Sequence, residues 1–205
     1  MPEWHAMKYL CEWVRGDNAK DAIEVRRRVY VEEFGFDLGG EGPRDQLDDR
    51  AYHLVAKTPD GHLVASLRLV DEPDRPFEIE RFVDLGPFFE SGWHPAEITR
   101  LCIMAPFRRI TKASFVHLAL LEAVLQLTAR LGVSHIVAST RQELMPVYRY
   151  LLFDPYPTIT YEHPEIGNAV HTLMSLDLAT FPDRCRNERP TLYPAVEAML
   201  MYKPK

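Results

Sequence analysis

Glu97-Ile98-Thr99-Arg100-Leu101-Cys102-Ile103-Met104-Ala105-Pro106-Phe107-Arg108-Arg109 is the stretch whose reading decides the fold. Glu97 to Met104 reads as a strand, and Pro106 ends it because proline has no N–H to give a sheet ladder. The basic run Arg108-Arg109-Ile110-Thr111-Lys112 then leads into a helical pattern from about Ala113 to Leu131, stopped by Gly132. Strand, basic loop and long helix form one unit, and the rest of the chain is arranged around it.

Upstream, Tyr52 to Lys57 and Leu63 to Val70 read as two strands joined by the turn Pro59-Asp60-Gly61. Earlier still, Met7, Tyr9, Cys11 and Trp13 alternate as a first strand. Asp17 or Asn18 suits a helix cap, and Ala22, Ile23, Val25, Val29, Tyr30 and Phe34 follow with helical spacing as far as Gly35. A polar loop, Asp37 to Arg50, separates that helix from the hairpin. Pro73, Pro76, Pro87 and Pro95 break up a phenylalanine-rich stretch, Phe77 to Trp93, ahead of the decisive strand. Downstream, Val133 to Ser139 reads as a strand and Glu143 to Leu151 as a helix. Thr158 to Tyr161 and Val170 to Leu178 add two late strands, and Pro190 to Met201 a short tail helix. The order β-α-β-β-β-α-β-α-β-β predicts an α/β (α+β) fold, a mixed sheet carrying helices, as a single domain over residues 1–205.

The composition narrows the function. Of 205 residues 46% are hydrophobic and 26% charged, ordinary values for a globular chain. The net charge of −6 makes nucleic acid a poor partner. The longest apolar stretch, Phe115 to Leu127, is interrupted by His117, Glu122 and Gln126, so no transmembrane segment is expected. Residues 1–14 mix Glu3, His5, Lys8 and Glu12 among apolar residues, so no signal peptide is expected there, and a cytoplasmic location is expected. Cys11, Cys102 and Cys185 are too far apart for a CxxC site or a disulfide framework. The eight histidines show no HxxxH or HExxH spacing, so no metal is expected.

The element order, with a hairpin ahead of a strand–basic loop–long helix unit, is similar to the GNAT acyltransferase fold, whose central sheet is mixed and mostly antiparallel. A sharper resemblance spans residues 26–109. Arg26-Arg27-Arg28-Val29-Tyr30-Val31-Glu32-Glu33-Phe34-Gly35-Phe36, Asp45-Gln46-Leu47-Asp48-Asp49, Ser66-Leu67-Arg68-Leu69 and Glu97-Ile98-Thr99-Arg100-Leu101 stand in the order of four landmarks. Together they resemble acyl-homoserine-lactone (autoinducer) synthases and N-acyl amino acid synthases. Tyr30 and Phe36 occupy positions where autoinducer synthases carry phenylalanine and tryptophan against S-adenosylmethionine. The wording Val29-Tyr30 and Glu32-Glu33-Phe34-Gly35-Phe36, with Ala51-Tyr52-His53-Leu54-Val55-Ala56, is more similar to N-acyl amino acid synthases and to exosortase-associated acyltransferases of the same fold.

The resemblance implies roles. Glu97 is the expected general base, with Thr99 and Arg100 beside it on the strand. Arg26, Tyr30, Phe36, Asp45, Asp48 and Arg68 are the expected acceptor-binding set. An arginine fork suits an α-carboxylate, but Arg68 and Arg100 could equally pair with Asp45 and Asp48 and pin the acidic loop. Backbone N–H groups near Leu101, Cys102 and Ile103 would orient the donor thioester. Arg108, Arg109 and Lys112 would receive its phosphate, although this loop lacks the glycines of the usual GNAT signature. Phe77, Phe82, Leu85, Phe88, Phe89, Trp93, Leu118, Leu121 and Leu125 could line an acyl tunnel or simply be core.

The implied reaction moves a fatty acyl group from an acyl carrier protein thioester to an amino acid amine, in a ternary complex. No cofactor is held permanently, and the acyl-phosphopantetheine of the carrier protein, or acyl-CoA, is a substrate. The alternatives are an autoinducer synthase using S-adenosylmethionine, an acyl-CoA-dependent enzyme, and a non-catalytic acyl- or lipid-binding module.

Overall fold

The computed structural model describes residues 9–38, 42–108, 116–193 and 196–197. It contains seven strands: β1 (Leu10–Arg15), β2 (Tyr52–Lys57), β3 (Leu63–Asp71), β4 (Pro95–Ile103), β5 (His135–Arg141), β6 (Asp154–His163) and β7 (Ala169–Asp177). Among the described residues, helices α1 (Lys20–Arg26), α2 (Val116–Leu131), α3 (Met145–Tyr150) and α4 (Phe181–Glu188) flank a mixed, mostly antiparallel sheet. The strand order is β1-β2-β3-β4-β5-β7-β6. No helix among the described residues is long and apolar enough to cross a membrane.

The chain forms two compact units. One runs up to Leu69 and again from Arg100 to Val124; the other comprises Val70–Thr99 and the chain from Leu125 onward. In the first, β2 pairs antiparallel with both β1 and β3. Leu54, Val55, Ala56, Val64 and Ala65 are fully buried. The turn between β2 and β3 closes through Gly61 N–H on the Thr58 carbonyl at 2.9 Å. Gly61 has φ +89°, a conformation that strains any side-chain-bearing residue. Trp13 donates its indole N–H to the Ala123 carbonyl at 3.1 Å, fixing β1 on the first turns of α2.

Two local features differ from the sequence expectation. Neither Asp17 nor Asn18 caps α1. The chain enters it through a 3-10 turn, Gly16–Ala19, and the cap positions Arg15 and Ala19 make no side-chain cap bond. The helix then widens at Arg27–Glu33 into π geometry, with Phe34 N–H bonded to the Val29 carbonyl five residues back at 3.1 Å. Val29 and Tyr30 there join Val25 and Cys102 in an apolar cluster.

In the second unit, β4 pairs parallel with β5 over Pro95–Glu97 and His135–Val137. β7 lies between β5 and β6, antiparallel to both. β6 is ten residues long, well beyond the expected Thr158–Tyr161. Helix α4 was not expected; Pro182 in its first turn and Asp183 after it are ordinary helix-start residues. Of the expected tail helix over Pro190–Met201, residues 194–195 and 198–201 lie outside the described residues.

Candidate active site

Arg26, Asp45, Asp48, Arg68 and Arg100, all expected to serve the acceptor or the chemistry, converge in the first unit. Arg26 comes from the last turn of α1, Arg68 from β3, Arg100 from β4, and the aspartates from the polar loop. Asp45 folds that loop on itself. Its carboxylate accepts the Leu47 N–H at 2.9 Å, while the Asp48 carboxylate accepts the Asp45 N–H at 2.8 Å, which is a capping box over Gln46–Asp49. The same carboxylates then collect the arginines. Asp48 Oδ1 accepts from Arg26 Nη1 at 2.7 Å and from Arg68 Nη1 at 3.0 Å. Asp45 Oδ1 accepts from Arg68 at 2.5 Å, and its Oδ2 from Arg100 at 3.2 Å.

Burial gives these pairs their weight. Arg26 and Arg68 are fully buried, and Asp48 is 1% exposed. Burial alone would raise the Asp48 pKa, but the Arg26 and Arg68 guanidiniums overcome it and hold the carboxyl below its ordinary range. Burial lowers Arg26 in the same way, against the pull of Asp48. Removing one partner from such a network typically costs about 3–5 kcal/mol, because the other charge is left buried.

His53, on β2 and fully buried, was not expected in this cluster. Its Nε2 lies 3.0 Å from the Asp48 carbonyl, which can only accept, so Nε2 carries the hydrogen. Nδ1 is therefore bare and accepts from Arg26 Nη2 at 3.0 Å. Burial, then the Arg26 cation, pushes its pKa down to about 4. The family-like phrase around Tyr52 and His53 was the available signal, but it did not reveal the contact.

Arg100 also carries a backbone signature. Its φ of +54°, in the middle of β4, is a left-handed conformation that a non-glycine residue adopts at a cost of about 1–2 kcal/mol. Tyr30 and Phe36 sit 6.0 Å apart, ring to ring, at the apolar cluster beside Cys102. The Cys102 thiol is pushed up to about 11 by burial, which makes it a poor nucleophile. Leu101 is half-buried and Ile103 buried. Arg108 is tied to its own unit: Nε donates to the Ile103 carbonyl at 2.6 Å, and the guanidinium forks onto the Glu33 carboxylate and lies 4.9 Å from the Phe34 ring centroid. Arg109 and Lys112 lie outside the described residues.

The second unit holds Glu97 and Thr99. Glu97 is 1% exposed, and its two carboxylate oxygens accept the backbone N–H groups of Glu78 and Ile79 at 2.6 and 2.9 Å. Two peptide donors favour the ionised carboxylate and fix its plane. Among the expected tunnel residues, Phe77 and Leu85 are fully buried, while Phe82 stacks on Tyr161 at 4.7 Å. A cavity of about 510 Å³ elsewhere in this unit is lined by Leu125, Thr128, Ala129, Val133, Leu178 and Phe181 among others.

Comparison with known proteins gives a consistent picture. The family model described as N-acyl amino acid synthase FeeM matches residues 21–177. A curated acyl-homoserine-lactone synthase from Rhizobium etli is 26% identical over 201 residues, covering 89% of this chain and 92% of its own. The solved structure of FeeM, an N-acyl amino acid synthase from uncultured soil microbes, aligns with TM-score 0.68 at 15% identity, over 86% of this chain and 93% of that one. BjaI, a CoA-dependent acyl-homoserine lactone synthase solved with SAM and isopentyl-CoA, aligns with TM-score 0.63 at 15% identity, over 96% and 92%.

Proposed function

This chain belongs to the N-acyl amino acid synthase FeeM family and is an acyltransferase, and from that premise we propose that it transfers a long-chain fatty acyl group from an acyl carrier protein thioester to an amino acid amine. The amine nitrogen attacks the thioester carbonyl, the C–S bond breaks, and an amide and a free phosphopantetheine thiol leave. The ammonium gives one proton to water; the second proton, lost from nitrogen as the amide forms, passes to Glu97 through a water and then to the departing thiolate. No covalent acyl-enzyme forms, in keeping with a Cys102 thiol held protonated.

The observation that carries this reading is the Glu97 carboxylate, buried and oriented by the Glu78 and Ile79 N–H groups. Arg68 and Arg100 are assigned to the acceptor carboxylate, with Tyr30 and Phe36 as apolar walls. Arg26, Asp45 and Asp48 act by positioning them. Leu101, Cys102 and Ile103 lend backbone N–H groups to the thioester, and Arg108, Arg109 and Lys112 serve the carrier protein. A cytoplasmic enzyme without a permanent cofactor fits this scheme.

Mass spectrometry of lipid extracts from cells overproducing the wild type or Glu97→Ala tests it. N-acyl amino acids present only with the wild type support the assignment and name both substrates. The Rhizobium relative favours a second reading, an acyl-homoserine lactone made from S-adenosylmethionine, which would release methylthioadenosine. Acyl-homoserine lactones in the extract would select that reading, and acylation from acyl-CoA alone would remove the carrier protein.

A further inference from the structure

We propose that His53 is a positioning residue for acceptor binding. It occupies one arm of the Arg26 guanidinium, which keeps Arg26 from forking onto Asp48 and preserves the carboxylate geometry that sets Arg68 and Arg100. The inference rests on the reading that Arg68 and Arg100 hold the acceptor's α-carboxylate, a group that an amino acid and S-adenosylmethionine share.

His53 and Arg68 are partners across the β2–β3 ladder, so both side chains stand on one face of the sheet. Arg26 reaches that face from the last turn of α1, and Asp48 from the polar loop. His53 is fully buried and tied at both ends of its ring: Nε2 donates to the Asp48 carbonyl and Nδ1 accepts from Arg26 Nη2, each at 3.0 Å. The other arm of Arg26, Nη1, donates to Asp48 Oδ1 at 2.7 Å and approaches the Pro43 carbonyl at 3.5 Å.

Arginine beside a carboxylate commonly gives it two parallel N–H bonds. Here both Asp48 oxygens also serve other groups: Oδ1 takes Arg68 Nη1 at 3.0 Å, and Oδ2 takes the Asp45 N–H at 2.8 Å. A fork from Arg26 would claim both oxygens, displacing Arg68 from one and opening the capping box at the other. Asp45, which that box orients, is the carboxylate that Arg68 and Arg100 share. A neutral imidazole suits the task, because it satisfies Nη2 without adding a second carboxylate to compete for the Arg26 charge. Burial, then the Arg26 cation, holds the ring in that neutral form.

The test is steady-state turnover by the full chain against the acceptor identified in the lipid extracts, with thermal melts alongside. His53→Gln keeps an amide N–H for the Asp48 carbonyl but loses the Nδ1 acceptor, whereas His53→Asn sets an amide oxygen near the Nδ1 position. His53→Gln should raise the acceptor KM ~10-fold or more with kcat little changed, the loss expected of one hydrogen bond to a charged group. His53→Asn should restore most of it. Arg100→Gln strips the clamp itself and should raise the same KM. A rise with Arg100→Gln but none with a folded His53→Gln overturns the proposal and leaves the clamp reading standing; no rise with either removes both. A lower Tm with unchanged KM makes His53 a core residue and overturns the proposal as well. Should His53→Gln fail to fold, nitrogen NMR of the histidine-labelled wild type at neutral pH decides: a bare Nδ1 whose signal moves on saturation with the acceptor is expected. A protonated Nδ1, or an unmoved signal, overturns the proposal.

Discussion

The two units hold their charged groups by opposite means. In the first, charge is answered by charge: Arg26 and Arg68 share Asp48, and Arg68 and Arg100 share Asp45. In the second, the Glu97 carboxylate is held by the peptide N–H groups of Glu78 and Ile79. A network of ion pairs specifies which segments meet. A carboxylate held by backbone donors is fixed in place and in plane by groups that carry no net charge.

That contrast can be broken most sharply at Glu97. Glu97→Gln should lower kcat/KM by ~10²–10⁴; it also turns an amide NH2 toward one of the two backbone N–H donors, at about 1–3 kcal/mol, and lost stability with intact turnover would reverse the assignment. Asp48→Ala should act on stability first, costing about 3–5 kcal/mol in denaturant unfolding because buried Arg26 loses its carboxylate and Arg68 keeps Asp45 alone. The third test is pH. His53 is held at about 4 when folded, against 6.5 when exposed, so the unfolded chain binds more protons between those values. Stability should therefore fall as pH drops from 6.5 to 4, by about 3 kcal/mol at most from this group. His171, also pushed to about 4, adds to the same window. His53→Gln should flatten part of the slope, and an unchanged slope would remove His53 from the account.

Smaller effects sharpen the picture. Both Arg100→Gly and Arg100→Ala lose the Asp45 pair, but only glycine relaxes φ +54°, so the glycine variant should be the more stable by about 1 kcal/mol in thermal melts. Glu33→Gln breaks a partly exposed pair with Arg108 and should cost no more than ~1 kcal/mol. If Arg108 serves the carrier protein, freeing it should lower the apparent KM for that donor without moving kcat.

Much of this was legible before the structure. The β2–β3 hairpin was written in two strand-like runs and the Pro59-Asp60-Gly61 turn. Arg26, Asp45, Asp48, Arg68 and Arg100 stood in family-like motifs, and both the pairing of the arginines with the aspartates and a substrate role could be weighed from charge alone. What escaped notice depends on the backbone or on distant contacts. The N–H groups that hold Glu97 belong to Glu78 and Ile79, and any non-proline residue supplies an N–H, so no residue type marks them. The π geometry of Arg27–Glu33 leaves the apolar pattern of an ordinary helix intact. Glu78 and His163 meet across 85 positions, which no local spacing can announce.

The three cysteines have a practical consequence. Burial, the largest influence on each, pushes the Cys11 and Cys102 thiols up to about 11 and raises Cys185 as well. At neutral pH almost none of the protein's sulfur is thiolate, the form that reacts with disulfide dyes. A colourimetric thiol reagent added to a turnover mixture should therefore register the thiol released from the acyl donor against a nearly silent enzyme. The same burial that removes these cysteines from the chemistry makes the reaction easy to follow continuously.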